Sequence, residues 1–244
     1  LCASKCERYV NQMVEYTGTD NLDVMADARN YNDYLLGLVM SYSSEDDKML
    51  DFGAGIGTFA SEVAKLRPNV LCVEPDVKQA QRISDLGLAV VSNLGLVEES
   101  SMDLIYSFNV LEHIKNDSDV LKELYSKLKE GGRILVYVPA FPVLYSSMDK
   151  KVGHYRRYKK SGLSHLMIDN GFCIEKARYV DSAGFVAALA YKFIGSKEGD
   201  ISRFGLLIYD RFIFPLSRIM DVLTGSVFGK NVYVIAKKVT ENER

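Results

Sequence analysis

Three glycines, Gly53, Gly55 and Gly57, lie between an apolar strand pattern and a helical one. Without side chains the backbone can approach a ligand closely, and the helix N-terminus can receive a negative group. A dinucleotide fingerprint requires GxGxxG, but position 58 is Thr58, so the spacing here is GxGxG. Asp51 precedes the loop, and a carboxylate there suits an ammonium group better than a pyrophosphate. The loop therefore predicts a nucleoside ligand that is cationic at this end.

A second acidic residue, Glu74, ends the next strand pattern about 20 residues after the first glycine, where a carboxylate can accept hydrogen bonds from both ribose hydroxyls. Each feature alone has another explanation. A glycine turn can serve tight packing, and Glu74 could cap the helix that follows Pro75. Their occurrence together and in this order favours a nucleoside site.

Two histidines follow predicted strands at the same edge of the sheet. His113 lies in a Leu-Glu-His-Ile run after the fourth strand, and His154 lies in Gly-His-Tyr-Arg-Arg-Tyr after the fifth. Imidazole titrates near neutrality, so either ring could act on an acceptor group as a base. Alternatively, Glu112 and His113 only orient their loop through hydrogen bonds.

The basic run around His154 could bind an anion. In residues 149–160 six Lys and Arg residues accompany one acid. Arginine binds carboxylate or phosphate in a bidentate manner, and tyrosine can stack on a ring or a sugar. The alternative is a solvated basic loop. We expect an anionic substrate to contact Tyr155, Arg156, Arg157 and Tyr158.

The elements that would position these residues alternate between strand and helix from Lys48 onward. Apolar runs predict strands at 49–52, 70–73, 89–91, 103–106, 133–138, 172–180 and 231–238. Periodic patterns predict helices at 5–16, 29–42, 58–66, 77–86 and 118–128. Gly131 and Gly132 are expected to end the last of these helices with a left-handed cap. The fold predicted is α/β, a doubly wound, mostly parallel, seven-stranded Rossmann-like sheet with an antiparallel last strand, which binds ligands at the carboxyl ends of its strands.

We expect a single domain in four segments: N-terminal helices in 1–47, a ligand-binding core in 48–181, a helical insertion or lid in 182–230, and the last strand and tail in 231–244. The insertion is too long for a structureless loop and is rich in Phe, Leu, Ile and Tyr. It is predicted to be a lid or part of the core. The alternative is a peripheral membrane contact, or a contact with an apolar substrate tail, through 203–220.

Composition limits the classes of partner and compartment. A net charge of -2 over 244 residues provides no overall positive field, which disfavours nucleic acid as a partner. No stretch reaches the roughly 18 uncharged apolar residues of a transmembrane helix, so we expect a cytoplasmic protein, with a peripheral membrane location as the alternative. The four cysteines form no CxxC pair, so no metal is expected, and Cys72 and Cys173 are predicted to be buried.

Together these motifs resemble class I S-adenosylmethionine-dependent methyltransferases of the type 11, 12 and 23 kind. The resemblance spans roughly residues 30 to 180 and rests on the motifs at 50–57, 73–76, 108–114 and 128–136. The Gly-His-Tyr-Arg-Arg-Tyr string is similar to one found in a subgroup linked to glycan or lipid assembly. The resemblance implies S-adenosylmethionine as cofactor and S-adenosylhomocysteine as product.

The resemblance also implies which part of the cofactor each residue would contact. The methionine portion would be bound by the first motif, that is Asp51, Gly53, Ala54, Gly55 and Gly57. Glu74 would bind the ribose, with Pro75 and Asp76 beside it, and the adenine edge would contact Asn93 and Leu94. The sulfonium would lie beside Phe108, Asn109 and Val110, and Tyr31 would cover the cofactor.

The function predicted is methyl transfer to a small-molecule, glycan or lipid-linked acceptor, anionic and methylated at oxygen. Because the sulfonium is already activated, the protein mainly has to align the acceptor and exclude water, with His113 and His154 as the predicted catalytic residues. One alternative is methylation of nitrogen, of protein or of nucleic acid. A non-catalytic binder at a membrane surface is another, and the missing glycine at position 58 disfavours a nicotinamide-dependent oxidoreductase.

Overall fold

A computed structural model describes residues 19–194 and 203–239. These residues include a seven-stranded sheet. The strands are β1 (Met49–Phe52), β2 (Val70–Val73), β3 (Ala89–Val91), β4 (Met102–Phe108), β5 (Leu128–Pro139), β6 (Phe172–Val180) and β7 (Asn231–Lys238). Their spatial order is β3-β2-β1-β4-β5-β7-β6. The pairs from β3 to β5 are parallel, and β7 lies antiparallel between β5 and β6. The predicted fold class is confirmed; the helix predicted at 5–16 lies outside the described residues.

Helices cover both faces of the sheet. They are α1 (Thr19–Met25), α2 (Arg29–Ser41), α3 (Thr58–Leu66), α4 (Val77–Asp85), α5 (Asp117–Lys127), α6 (Ser147–Lys151), α7 (Lys160–Asp169), α8 (Ser182–Ile194), α9 (Arg203–Ile208) and α10 (Phe214–Thr224). Because side chains alternate across a strand, Ile105 of β4 joins the core under α5 and α7, whereas Leu104 and Tyr106 join the core under α2, α3 and α4. The sheet is therefore wound on both sides.

The double glycine at 131–132 lies within β5 and does not cap a helix. Helix α5 ends at Lys127 and β5 begins at the next residue, so the predicted left-handed cap at Gly131 and Gly132 is wrong. Gly131 has a φ of 74° inside the strand, where the register against β4 shifts beyond Met102. A Cβ on Gly132 would lie 3.0 Å from the Met102 carbonyl oxygen. The pair therefore allows a bulge in which two backbones approach closely.

The two cysteines in strands differ in exposure. Cys72 is buried as predicted, but Cys173 is exposed, which corrects the expectation for that residue. Strand β6 is at the edge of the sheet. Phe172, which precedes Cys173 in this strand, points into the core, so the side chain of Cys173 points to the opposite face.

Between β6 and β7 the described residues include α8, α9 and α10, and α9 continues into α10 through a π-helical stretch, Tyr209–Ile213. The inward face of α9, the π-helical stretch and α10 is unusually polar. The buried side chains are Leu206, Asp210, Phe214, Ser217 and Asp221. The outward face is apolar, with exposed Phe204, Ile208, Phe212, Leu216, Ile219 and Leu223. Across the described ranges, no helix combines the length and the apolar character needed to cross a bilayer.

Candidate functional site

The glycine loop joins β1 to α3 in a conformation that requires glycine. Gly53, Gly55 and Gly57 have φ values of 78°, 56° and 82°, in the left-handed region that side chains disfavour. A Cβ on Gly53 would also lie 2.4 Å from a methyl group of Val110. The loop thus turns sharply beneath the end of β4, and its backbone faces the carboxyl edge of the sheet.

Asp51 lies within β1 just ahead of this loop. The residue is 3% exposed, and its Oδ2 atom has no hydrogen-bond partner in the described part of the chain. Burial raises the pKa of Asp51 to about 8, and the charge of Glu74 adds to the effect. Buried carboxyl oxygens normally have a partner, so this oxygen is a candidate acceptor for a ligand that carries donors.

Glu74 follows β2 and fixes the loop from the neighbouring strand. Its Oε2 accepts the Gly55 N–H at 2.8 Å and its Oε1 accepts the Asp76 N–H at 2.9 Å. Burial raises the pKa of Glu74 to about 7. Asp76, not Glu74, caps α4, because its Oδ1 accepts the N–H groups of Lys78 and Gln79. The helix-cap explanation of Glu74 is therefore wrong, and its carboxylate organises the glycine loop.

The other residues predicted to contact the cofactor lie after the neighbouring strands. Leu94 is buried after β3, and Asn93 beside it is half-buried. Phe108 ends β4 and packs edge-to-face on Phe59 of α3. Ala54 is in the loop, Pro75 precedes Asp76, and Val110 lies against Gly53. The carboxyl ends of β1 to β4 thus bring this predicted set to one edge.

Tyr31 covers this edge from α2. Its hydroxyl accepts the Asn109 Nδ2–H at 3.2 Å, and its ring packs edge-to-face on Tyr137 and Phe214. Burial raises the pKa of Tyr31 to about 12, so the phenol stays neutral. Asn109 itself has a φ of 56°, a strained conformation that turns the chain at the end of β4.

Asp210 of the insertion holds the start of α2, a role that sequence reasoning missed. Its carboxylate accepts the backbone N–H groups of Asn30 and Tyr31 at 3.0 and 2.9 Å. The local residue at that position, Ala28, makes no side-chain cap. The sequence does indicate that α2 starts without a local capping residue. It does not indicate which residue caps the helix instead, because Asp210 is 180 residues away from Asn30. The insertion therefore helps position the aromatic cover.

His113 and His154 come together from the loops after β4 and β5. Their ring centroids are 4.5 Å apart in an edge-to-face arrangement. Nδ1 of His154 contacts Oδ1 of Asp149 at 2.7 Å, and its Nε2 lies 3.8 Å from Oε1 of Glu112. Burial lowers the pKa of His113 to about 4 and raises that of Glu112 to about 8. Residue spacing does not predict these contacts of His154 with Asp149 and Glu112, because the orientation of the ring and the packing of the two loops decide them.

The two arginines of the basic run contact carboxylates of the protein. Arg157 Nε donates to Asp149 at 2.8 Å, and Arg156 Nη1 donates to Asp117 at 2.6 Å. Tyr158 is buried and donates to the same Asp117 at 2.7 Å, whereas Tyr155 is exposed. These contacts hold the loop that carries His154. Contact with an anionic substrate stays a prediction for this run.

A family model described as a methyltransferase domain matches residues 13–177. Phosphoethanolamine N-methyltransferase 2 of Caenorhabditis elegans is 27% identical over 99 residues, which are 36% of this chain and 23% of that protein. The match thus spans about a quarter of that curated relative.

Solved structures share the fold. Phosphoethanolamine N-methyltransferase 2 of Haemonchus contortus, in complex with S-adenosyl-L-methionine, is 20% identical, with 86% of this chain and 53% of that chain covered and a TM-score of 0.59. Geranyl diphosphate C-methyltransferase of Streptomyces coelicolor is 16% identical, with coverages of 85% and 76% and a TM-score of 0.59. Since the family model covers more than half of the chain, the chain belongs to the methyltransferase-domain family.

Proposed function

We propose that S-adenosylmethionine binds across the glycine loop, with its ammonium group on Asp51 and its ribose hydroxyls on Glu74. Within the described residues, the buried Oδ2 atom of Asp51 has no hydrogen-bond partner. This observation supports the proposed orientation, because a cationic donor would satisfy that oxygen. Asn93 and Leu94 would line the adenine. Phe108, Asn109 and Val110 would lie beside the sulfonium, and Tyr31 would cover it.

Replacing Asp51 should separate cofactor binding from stability. A carboxyl whose pKa rises from 3.8 to about 8 on folding keeps its proton while the unfolded chain ionises, so stability falls as the pH rises between these values. Asp51→Asn removes this penalty. We expect it to melt higher than the wild type at pH 8, by a margin that vanishes near pH 4, and to bind S-adenosylmethionine at least about tenfold more weakly. Scanning calorimetry and titration measure the two effects; unchanged affinity would place the ammonium elsewhere.

We propose an anionic acceptor that is methylated at a hydroxyl beside His113 and His154. The methyl carbon forms a bond to the acceptor oxygen while its bond to sulfur breaks with the electron pair left on sulfur, and the hydroxyl proton passes to an imidazole nitrogen of the histidine pair or to water. Two observations support the anionic class: basic residues flank His154, and the structural neighbours named above act on a phosphate ester or a diphosphate by their names. The resemblance of the Gly-His-Tyr-Arg-Arg-Tyr string to a subgroup linked to glycan or lipid assembly is the reason for proposing a glycan or lipid-linked acceptor.

A transfer assay tests the acceptor class. S-adenosylhomocysteine release would be measured with hydroxyl acceptors that carry a phosphate or carboxylate, with matched neutral alcohols, and with phosphoethanolamine as an amine. We expect the anionic hydroxyl series to be preferred at least about tenfold over the neutral one. Preference for the amine would replace O-methylation by N-methylation.

Arg156 is the better of the two arginines for testing the anion contact. Arg157 is nearly buried against Asp149, whereas Arg156 keeps 32% of its side chain exposed. Arg156→Ala should reduce turnover of the anionic acceptor with cofactor affinity retained, and Lys159→Ala, at an exposed neighbouring position, is the matched control. Equal loss of cofactor affinity would contradict the assignment.

A second candidate function is contact with an anionic lipid surface through 203–220. The specific observation is the inverted amphipathic character of α9 and α10, with polar side chains inside and an apolar stripe outside. Phe204 and Phe212 are 73% and 69% exposed, and Arg211 lies exposed between them. Such a surface suits the acyl boundary of a bilayer. Sedimentation with anionic vesicles should show binding that Phe204→Ser plus Phe212→Ser removes; absence of wild-type binding would refute it.

A further inference from the structure

We propose that Glu112, His113 and His154 form a binding site for one divalent transition-metal ion. One donor atom from each residue lies within 4.8 Å of the other two. Two imidazoles and one carboxylate are the donor set of catalytic zinc and non-haem iron sites, which leave coordination positions open for a substrate. The proposal relies on the proposed function only for the place where the acceptor approaches.

The spacing suits a common ion. Metal–ligand bonds are about 2.0 to 2.2 Å, so two donors on one ion lie about 3 to 4 Å apart. Nε2 of His154 is already 3.8 Å from Oε1 of Glu112. The donor atoms all lie within 4.8 Å of one another, so the widest pair would have to close by less than about 1 Å to share one ion.

Glu112 provides the observation that points to a cation. Its side chain is completely buried, and within the described ranges neither carboxyl oxygen has a hydrogen-bond partner. A buried carboxyl with both oxygens unsatisfied is costly and rare. A cation coordinated by these oxygens removes that cost, and a donor nitrogen of each histidine lies within 4.8 Å of the carboxyl donor.

Both histidines are held by groups outside the cluster, as metal-bound histidines usually are. Asp149 contacts Nδ1 of His154, which directs Nε2 toward Glu112. His113 makes a hydrogen bond with the backbone of Val152. The loops themselves are tied together, since Tyr155 N–H donates to the Glu112 carbonyl at 2.8 Å. The cluster is therefore organised before any ion binds.

An ion at this position would have a defined use. Glu112 and His113 follow β4 directly after the residues assigned to the sulfonium, so an ion there lies on the acceptor side. A bound divalent ion coordinates an acceptor oxygen and favours loss of its proton at neutral pH. This role suits a hydroxyl acceptor and would not be needed for an amine.

Cobalt(II) titration tests the site without any acceptor. The full chain is dialysed against a chelator, and binding is followed by the visible absorption of Co²⁺ and by metal analysis after gel filtration. We expect one Co²⁺ per chain, displaced by Zn²⁺ but not by Mg²⁺, which prefers all-oxygen ligands. Glu112→Gln and His154→Ala should each weaken binding at least about tenfold. His165→Ala, on the exposed face of α7, removes a histidine outside the cluster and should change nothing.

The outcomes separate the two proposals. No saturable binding, or equal affinity in the wild type and His154→Ala, overturns the metal site. Should Glu112→Gln fail to fold, His154→Ala still decides. Titration of S-adenosylmethionine into the same samples tests the cofactor site alone, so its failure with Co²⁺ binding intact refutes the proposed cofactor orientation and leaves the metal site standing.

Discussion

Gly53→Ala is expected to lose about 2 to 5 kcal/mol of folding stability and nearly all cofactor binding. The new Cβ would lie 2.4 Å from Cγ2 of Val110, and the residue would have to keep a φ of 78°. Overpacking of this kind costs about 1 to 3 kcal/mol, and a left-handed alanine costs about 1 to 2 more. Because the loop carries the ligand-facing backbone, any shift that relieves the clash also displaces that backbone. Thermal melting and cofactor titration measure the two losses.

The matched control is Gly37→Ala in α2. An added Cβ there meets nothing within 4 Å, and alanine favours a helix more than glycine by about 1 kcal/mol, so this variant should be as stable as the wild type or more so. The double variant Gly53→Ala/Val110→Ala removes the contacts with the two Val110 methyl groups, leaves the Cβ of residue 110 at 3.2 Å and keeps the backbone strain, so it should recover part of the stability. Full stability of Gly53→Ala alone would show that the loop does not need its left-handed turn.

Local sequence patterns correctly predicted much of the fold. The strand at 49–52 and the helix at 58–66 have the bounds that alternation and periodicity predict. The error at Gly131 has a physical reason: a glycine with positive φ ends a helix or bulges a strand, and only pairing with β4 decides between them. The exposure of Cys173 likewise depends on which face of an edge strand it occupies, which neighbouring residues alone do not specify.

For the candidate site, the sequence predicts relative position best where neighbours along the chain act together. The glycine loop, Asp51 and Glu74 belong to one βαβ unit, so their spacing carries their geometry. Two kinds of contact were missed: Asp210 caps α2 from 179 residues away, and Asp149, only five residues from His154, orients that ring toward Glu112 of another loop. Such contacts depend on tertiary packing, and no periodic pattern encodes them.

Glu74→Ala is expected to weaken S-adenosylmethionine binding about 100-fold. The carboxylate accepts hydrogen bonds from the N–H groups of Gly55 and Asp76, so its removal leaves the loop without these two contacts. The substitution also removes the proposed acceptor for the ribose hydroxyls. Hydrogen bonds to a charged group contribute about 1.5 to 3 kcal/mol each, and losing the equivalent of about 2.7 kcal/mol lowers affinity 100-fold. Calorimetric titration at constant pH measures the change.

Two further variants separate the charge from the hydrogen bonds. Glu74→Gln keeps the shape of the side chain, but its amide NH₂ would face one of the two backbone N–H groups, so it should bind the cofactor more weakly than the wild type although better than Glu74→Ala. Glu98→Ala removes an exposed carboxylate elsewhere and should bind normally. Equal affinities for Glu74→Ala and Glu98→Ala would mean that the ribose is bound elsewhere, whereas the graded order would assign to Glu74 both the loop geometry and the ribose contact.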